Sequence, residues 1–178
     1  TPKKIFIPAD PSSAAFFIAS ALIVRGSNIK LCNLCMNKTR VGFLETVREM
    51  GAEIELSNKR IISGELVADL TVCFSDLKGI EVPISRVPSM IDEYPILSIV
   101  ASFSTGKTIM RGIKELKVKE SNRILSMAAG LKQCGVEVEY GDDFLIVNGQ
   151  KKVLGGAKIN TFGDHRVAMS FLCLGQAS

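Results

Sequence analysis

The sequence predicts an α+β fold, α/β in its local alternation, assembled from repeated βαβαββ units with a third copy truncated. Three observations predict it. Strand-like segments alternate with apolar helical ones from end to end. The order then recurs: "REMGAEIEL" is answered by "KQCGVEVEY", with Gly51 and Gly135 84 positions apart, and "RGSNIKL" by "TGKTIMR", with Gly26 and Gly106 80 apart. A period near 80 exceeds that of the common solenoid repeats. Finally, Asp10, Asp92 and Asp164 each stand just before an apolar helical stretch.

Taken in order, "KKIFIPAD" (3–10) reads as a strand and "PSSAAFFIASALIVRG" (11–26) as a helix opened by Asp10, Ser12 and Ser13 and closed by Gly26. "SNIKLCNL" (27–34) alternates as a strand does, and "KTRVGFLETVREMG" (38–51) spaces Val41, Leu44 and Val47 for a helix ending at Gly51. "AEIEL" and "ADLTVCF" supply two more strands across a turn near Gly64. In the second copy the first strand falls near "GIEVPI" (79–84). "MIDEYPILSIVASFSTG" (90–106) is a helix opened by Asp92, "KTIMRGI" a strand, "KESNRILSMAAGLKQCG" a second helix, and "VEVEY" and "FLIVNG" the closing strands. "AKINTFGDHRVAMSFLCLG" starts a third copy as strand, Asp164 and apolar helix to Gly175. The units divide at about 1–78, 79–156 and 157–178.

Composition narrows the function. Among 178 residues, 47% are hydrophobic and 22% charged, an ordinary globular balance. A net charge of +4 suits small anionic ligands but does not argue for nucleic acid, and nine Phe, two Tyr and no Trp leave little to stack on bases. Five scattered cysteines in apolar runs suit reduced thiols in a cytoplasmic protein. Cys32 and Cys35 have metal-type spacing, but there is no second pair and the only histidine is His165, so neither a metal nor another cofactor is expected. No stretch reaches the roughly 18 apolar residues that span a bilayer, so no membrane partner is expected.

Four groups carry more charge than a buried helix needs: Asp92 with Glu93, Lys119 with Glu120, Arg123, and Asp164-His165-Arg166. If the units pack around an axis, their helix entrances gather backbone N–H dipoles and cations at one end, which favours anions. Arg123 and Arg166 could each grip a carboxylate or phosphate in bidentate fashion. A carboxylate beside a lysine stays ionised and acts as a base, while one pressed on apolar surface holds a proton to donate. Asp92 and Glu120 are the candidates for that division. Plainer readings stand beside these: Asp10 as a helix cap, His165 and Glu93 as structural, Lys117 as surface, and Lys119–Arg123 as a like-charged i,i+4 pair on a solvated helix face.

"PSMIDEYPIL", "LKVKESNR" and "GDHRVAMSF" resemble motifs of the 3-phosphoshikimate 1-carboxyvinyltransferase family, and "IPADPSSAAFFIASALIVRGS" and "MNKTRVGFLETVREMGAEIE" resemble an earlier part of the same lobe. The resemblance covers nearly the whole chain; K-E-S-x-R and D-H-R together are its specific part. It implies two lobes of three βαβαββ units each, every lobe an inside-out α/β barrel (the enolpyruvyl transferase fold), with the site between lobes. This chain would be most of one lobe, with the partner lobe absent. The implied reaction moves the enolpyruvyl group of phosphoenolpyruvate to the 5-hydroxyl of shikimate 3-phosphate, releasing phosphate through a tetrahedral intermediate.

By motif, Asp92 matches the aspartate that binds shikimate 3-phosphate and takes the hydroxyl proton, Lys119 a lysine on the same substrate, and Glu120 the glutamate that protonates the methylene carbon. Arg123 and Arg166 match two arginines that hold phosphoenolpyruvate, and His165 lines the site. The resemblance implies a monomeric parent enzyme without a cofactor, and this segment alone is expected to be inactive. Two other readings are the UDP-N-acetylglucosamine enolpyruvyl transferase, in which K-E-S-x-R is not the pattern, and a non-enzymatic RNA-binding module, against which the shortage of aromatic residues counts.

Overall fold

A computed structural model describes residues 4–178. α1 (Pro11–Ile23) starts where Asp10 accepts a hydrogen bond from the Ser13 N–H at 2.8 Å, with Pro11 in the first helical position. β1 (Asn28–Cys35), α2 (Gly42–Glu49), β2 (Ile54–Ile62) and β3 (Glu65–Cys73) follow, and the strands form an antiparallel sheet in the order β1-β3-β2. Ser63 and Gly64, both at positive φ, make the tight β2–β3 turn. Two 3₁₀ turns (Ile84–Ser89 and Ile91–Glu93) lead into α3 (Tyr94–Ser102). β4 (Thr105–Arg111), a 3₁₀ turn (Lys114–Val118), α4 (Arg123–Gln133), β5 (Val138–Tyr140) and β6 (Phe144–Gln150) repeat the first pattern, with sheet order β4-β6-β5. α5 (His165–Ala177) completes the chain.

The repeat extends to the helix ends. After α2 the Ala52 N–H reaches back to the Val47 carbonyl, and after α4 the Val136 N–H to Leu131, both at 2.9 Å. Each closure needs a left-handed residue, and Gly51 (φ 101) and Gly135 (φ 79) supply it.

α1, α3 and α5 pack against one another. Every residue of α3 from Tyr94 to Ser102 is buried. A helix apolar on all sides must be enclosed, so α3 is the interior helix, with α1, α4, α5, β4 and β6 packed around it, while α1 and α5 are covered only in part and leave Phe17 and Leu172 exposed. Burying Leu22, Ile96, Leu97 and Ile99, each at 0% exposure, contributes about 1.5–3 kcal/mol apiece.

Several boundaries differ from expectation. Lys3 lies outside the described residues, and 4–8 form no strand: only Ala9 bridges Leu34, in parallel. The strand expected at 79–84 is likewise reduced to the bridges Lys78↔Thr105 and Glu81↔Ile109, and 157–161 pairs with nothing among the described residues. These segments have strand composition, but a strand exists only where a neighbour supplies the ladder. Three helices also start later than expected and α5 continues through Gly175. α2 begins at Gly42 after a turn over 38–40, α3 at Tyr94 and α4 at Arg123. Asn122 starts α4 by accepting from the Leu125 N–H at 3.2 Å, leaving Lys119 and Glu120 on the approach. Lys119 and Arg123 are therefore not an i,i+4 helical pair.

Candidate active site

The entrances of α1, α3 and α5 lie together, and the approach to α4 closes on them. Asp92 is the centre. It does not cap α3: the 3₁₀ turn runs straight into the helix, Glu93 holds the cap position without a side-chain cap bond, and Pro95 has no N–H to satisfy. Its carboxylate is left for other partners. Oδ1 lies 3.0 Å from Arg123 Nη1 and 3.4 Å from Lys119 Nζ, and Oδ2 lies 3.8 Å from Arg166 Nη2. Arg166 Nη1 also donates to the Asp92 carbonyl at 3.3 Å. Lys119 is held from its other side by Glu115 at 2.6 Å; that hydrogen bond, helped by the charge of Asp92 and opposed by burial, raises the ammonium pKa and keeps it charged.

Arg123 differs from the other cations. Its side chain is only 1% exposed, and its guanidinium is shared among Asp92, Glu120 and Asp164. Asp164, fully buried, accepts from Arg123 Nε at 2.9 Å and from Ser121 Oγ at 3.0 Å, while its other oxygen caps α5 through the Arg166 N–H at 2.9 Å. Burial alone would raise the Asp164 pKa; the hydrogen bond and charge of Arg123 outweigh it, with help from Ser121 and the Arg166 N–H, and hold the group below the usual carboxylate range.

Glu93 is the opposite case. Burial pushes its pKa up, and the Ser12 hydroxyl and the charge of Arg166 offset that only in part. Among the site carboxyls Glu93 is thus the one whose pKa lies above its ordinary value. Glu120, expected from sequence to be the proton donor, has a half-exposed side chain and lies against Arg123. His165 sits exposed on the first turn of α5, and nothing in its surroundings assigns it a role.

A groove of about 310 Å³ opens beside Asp92, lined among others by Ser12, Arg40, Ser89, Glu93 and Arg166. Arg40 Nη2 donates to Asp10 at 2.7 Å and to Ser12 at 3.0 Å, joining α1 to the same network. Among the described residues no cluster of His, Cys, Asp and Glu could hold a metal ion, and no helix is long and apolar enough to cross a membrane.

Of the six residues to which the resemblance gives roles, five meet: Asp92, Lys119, Glu120, Arg123 and Arg166. The sequence reading missed Asp164 as anchor of Arg123, Glu115 as partner of Lys119, and the Ser12–Arg40 side. Signals for the first two existed: an arginine entering an apolar helix needs a buried anion, and Glu115 stands four residues before Lys119.

Fold and site together define an α+β protein in which a cluster of carboxylates and cations, able to hold anionic groups, gathers where helix entrances converge. The crystal structure of the enolpyruvyl transferase NikO from Streptomyces tendae shares this fold, with a TM-score of 0.70 over 96% of the chain at 16% identity. An EPSP synthase structure from Acinetobacter baumannii is far nearer, with TM-score 0.93 and 41% identity over 97% of this chain and 40% of that one. The chain is 57% identical to a 3-phosphoshikimate 1-carboxyvinyltransferase of Cereibacter sphaeroides over 177 residues and 55% identical to that of Dinoroseobacter shibae over 180. In both cases 99% of this chain is covered and it spans about 40% of the length of the curated relative. The profile described as EPSP synthase (3-phosphoshikimate 1-carboxyvinyltransferase) matches residues 1–178. The chain belongs to the EPSP synthase family.

Proposed function

We propose that this chain is part of an enzyme transferring the enolpyruvyl group of phosphoenolpyruvate to the 5-hydroxyl of shikimate 3-phosphate, with release of phosphate. The observation that carries this reading is Asp92: a carboxylate freed from capping and met by cations from two separate segments, Lys119 and Arg123 on the α4 side and Arg166 on α5. Asp92 takes the proton of the 5-hydroxyl as the hydroxyl oxygen bonds to C2 of phosphoenolpyruvate. Glu120 delivers a proton to the methylene carbon, giving the tetrahedral intermediate. Loss of phosphate with the return of that proton restores the double bond. Lys119 binds shikimate 3-phosphate. Arg166 and the terminal nitrogens of Arg123 hold phosphoenolpyruvate, the substrate taking up donors now turned to Asp92 and Glu120. His165 lines the same site.

In the same reading, 1–78 and 79–156 are successive units of one lobe, 157–178 opens a third, and the rest of the cleft comes from a partner lobe. The parent enzyme acts as a cytoplasmic monomer and needs no cofactor, nucleic acid or membrane. The family match favours shikimate 3-phosphate over a nucleotide sugar as acceptor and over RNA binding. The test is phosphate release by the full-length protein with both substrates. Asp92→Asn is expected to lower kcat by about a hundredfold or more, and residues 1–178 alone are expected to give none. Wild-type turnover in the Asn variant would overturn the assignment.

A further inference from the structure

Arg166 is held by three groups: the Asp92 carbonyl at 3.3 Å, the Asp92 carboxylate at 3.8 Å and Glu93 Oε1 at 3.5 Å. The Asp92 carboxylate is a poor permanent partner. It is shared with Lys119 and Arg123, both closer to it than Arg166. It also loses its charge whenever it accepts a proton.

Glu93 has no structural duty that explains a carboxylate. It occupies the cap position of α3 without capping it, and its side chain is 8% exposed. An apolar residue of similar size would fill that volume without removing an ion from water. The groups around it are instead polar: the Ser12 hydroxyl on α1, Arg166 on α5, Asp92 beside it, and Arg40, itself paired with Asp10.

We propose that Glu93 is a positioning residue: it is the constant anionic partner that keeps the Arg166 guanidinium fixed beside Asp92 while the charge of Asp92 changes. This rests on the reading of Arg166 as a ligand of phosphoenolpyruvate. Ser12 and Arg40 line the same groove as Glu93 at the start of α1. Because Glu93 is buried, it takes up a proton more readily than an exposed glutamate, and Arg166 then loses this partner. Binding of phosphoenolpyruvate should therefore weaken on the acid side.

The test uses the full-length protein and Glu93→Gln, which keeps the shape and removes the charge. The KM for phosphoenolpyruvate is expected to rise about tenfold, as for loss of one charge-assisted contact, with kcat within about twofold. The acid-side rise of wild-type KM relative to kcat should be absent in the variant, and Glu93→Asp should recover part of the loss. An unchanged KM, or a kcat loss with KM unchanged, overturns the inference. Calorimetric binding of phosphoenolpyruvate in the presence of shikimate 3-phosphate makes the same comparison without turnover, and equal Kd values for wild type and Gln variant overturn it equally. Absence of wild-type turnover would instead overturn the function proposed above. If the Gln variant does not fold, the Asp variant carries the measurement, and wild-type affinity in it across the acid range counts against the proposal.

Discussion

Replacing Asp164 by alanine separates capping from charge compensation, because Asp10 provides the control. Both aspartates cap an apolar helix from extended backbone, Asp10 at φ −77, ψ 127 and Asp164 at φ −85, ψ 115. Losing a cap costs about 1 kcal/mol at either place. Asp10 adds little more, since its side chain is 45% exposed and its pairing with Arg40 lies in the surface range of about 0–1 kcal/mol. Asp164 is 0% exposed and neutralises an arginine that is 1% exposed. Removing one partner of a buried pair costs about 3–5 kcal/mol; since Arg123 keeps Asp92 and Glu120, the lower end applies. The expected totals are about 4 kcal/mol for Asp164→Ala and about 1 for Asp10→Ala. Urea unfolding of the full-length protein, followed by circular dichroism, should show a midpoint lowered by about 1 M or more for the first and much less for the second. Adding Arg123→Met to Asp164→Ala should recover part of the loss, because the stranded charge is gone. If the two aspartate variants fall within about 0.5 kcal/mol of each other, Arg123 does not depend on Asp164 and the proposed architecture of the site is wrong.

Two further predictions concern stability. The folded-state pKa of Glu93 is raised above its ordinary 4.5, with burial the first cause, so the folded protein binds a proton more readily than the unfolded chain and stability falls as pH rises through that window. Glu93→Gln should therefore raise Tm at neutral pH, and the gain should vanish below about pH 4.5, where the group is protonated in both states; a lower Tm at neutral pH would refute this. Gly149 in β6 crosses the end of α3 so closely that an added Cβ would lie 2.3 Å from the Ser104 carbonyl oxygen and 2.7 Å from that of Ala101. Because both obstacles are backbone, Gly149→Ala should cost about 1–3 kcal/mol in chemical denaturation, and an unchanged midpoint would refute the close approach.

The interior was legible because it obeys local rules. The run 94–102 is apolar on every side and is enclosed throughout, the run 14–24 is mostly buried but leaves Phe17 exposed, and Gly51 and Gly135 mark matched helix ends. The first strand of each unit was not legible in the same way. Ile5 and Ile7 have strand composition yet are 74% and 84% exposed, because lateral pairing depends on neighbours that composition does not specify. At the site, the charges beside apolar runs were visible, but their geometry was not. Asn122 competes successfully for the cap and moves Lys119 off the helix. The burial of Glu93 is a tertiary fact: it arises from Ser12, Arg40 and Arg166, between 53 and 81 residues away in the chain or in the other direction along it.

The three aspartates at the helix entrances are used in three ways. Asp10 caps α1 by accepting from the Ser13 N–H and pairs with Arg40. Asp164 keeps the cap and adds a second task, since its other oxygen neutralises Arg123 in the interior. Asp92 caps nothing. Its helix is entered through a 3₁₀ turn with Pro95 in its first turn and no side-chain cap bond, and the Asp92 carboxylate meets Lys119, Arg123 and Arg166 instead. In the proposed reaction a capping bond would turn an oxygen of Asp92 away from those cations and from the substrate hydroxyl. A backbone change at 91–95 that restored one is therefore expected to lower kcat while leaving Lys119, Arg123 and Arg166 in place.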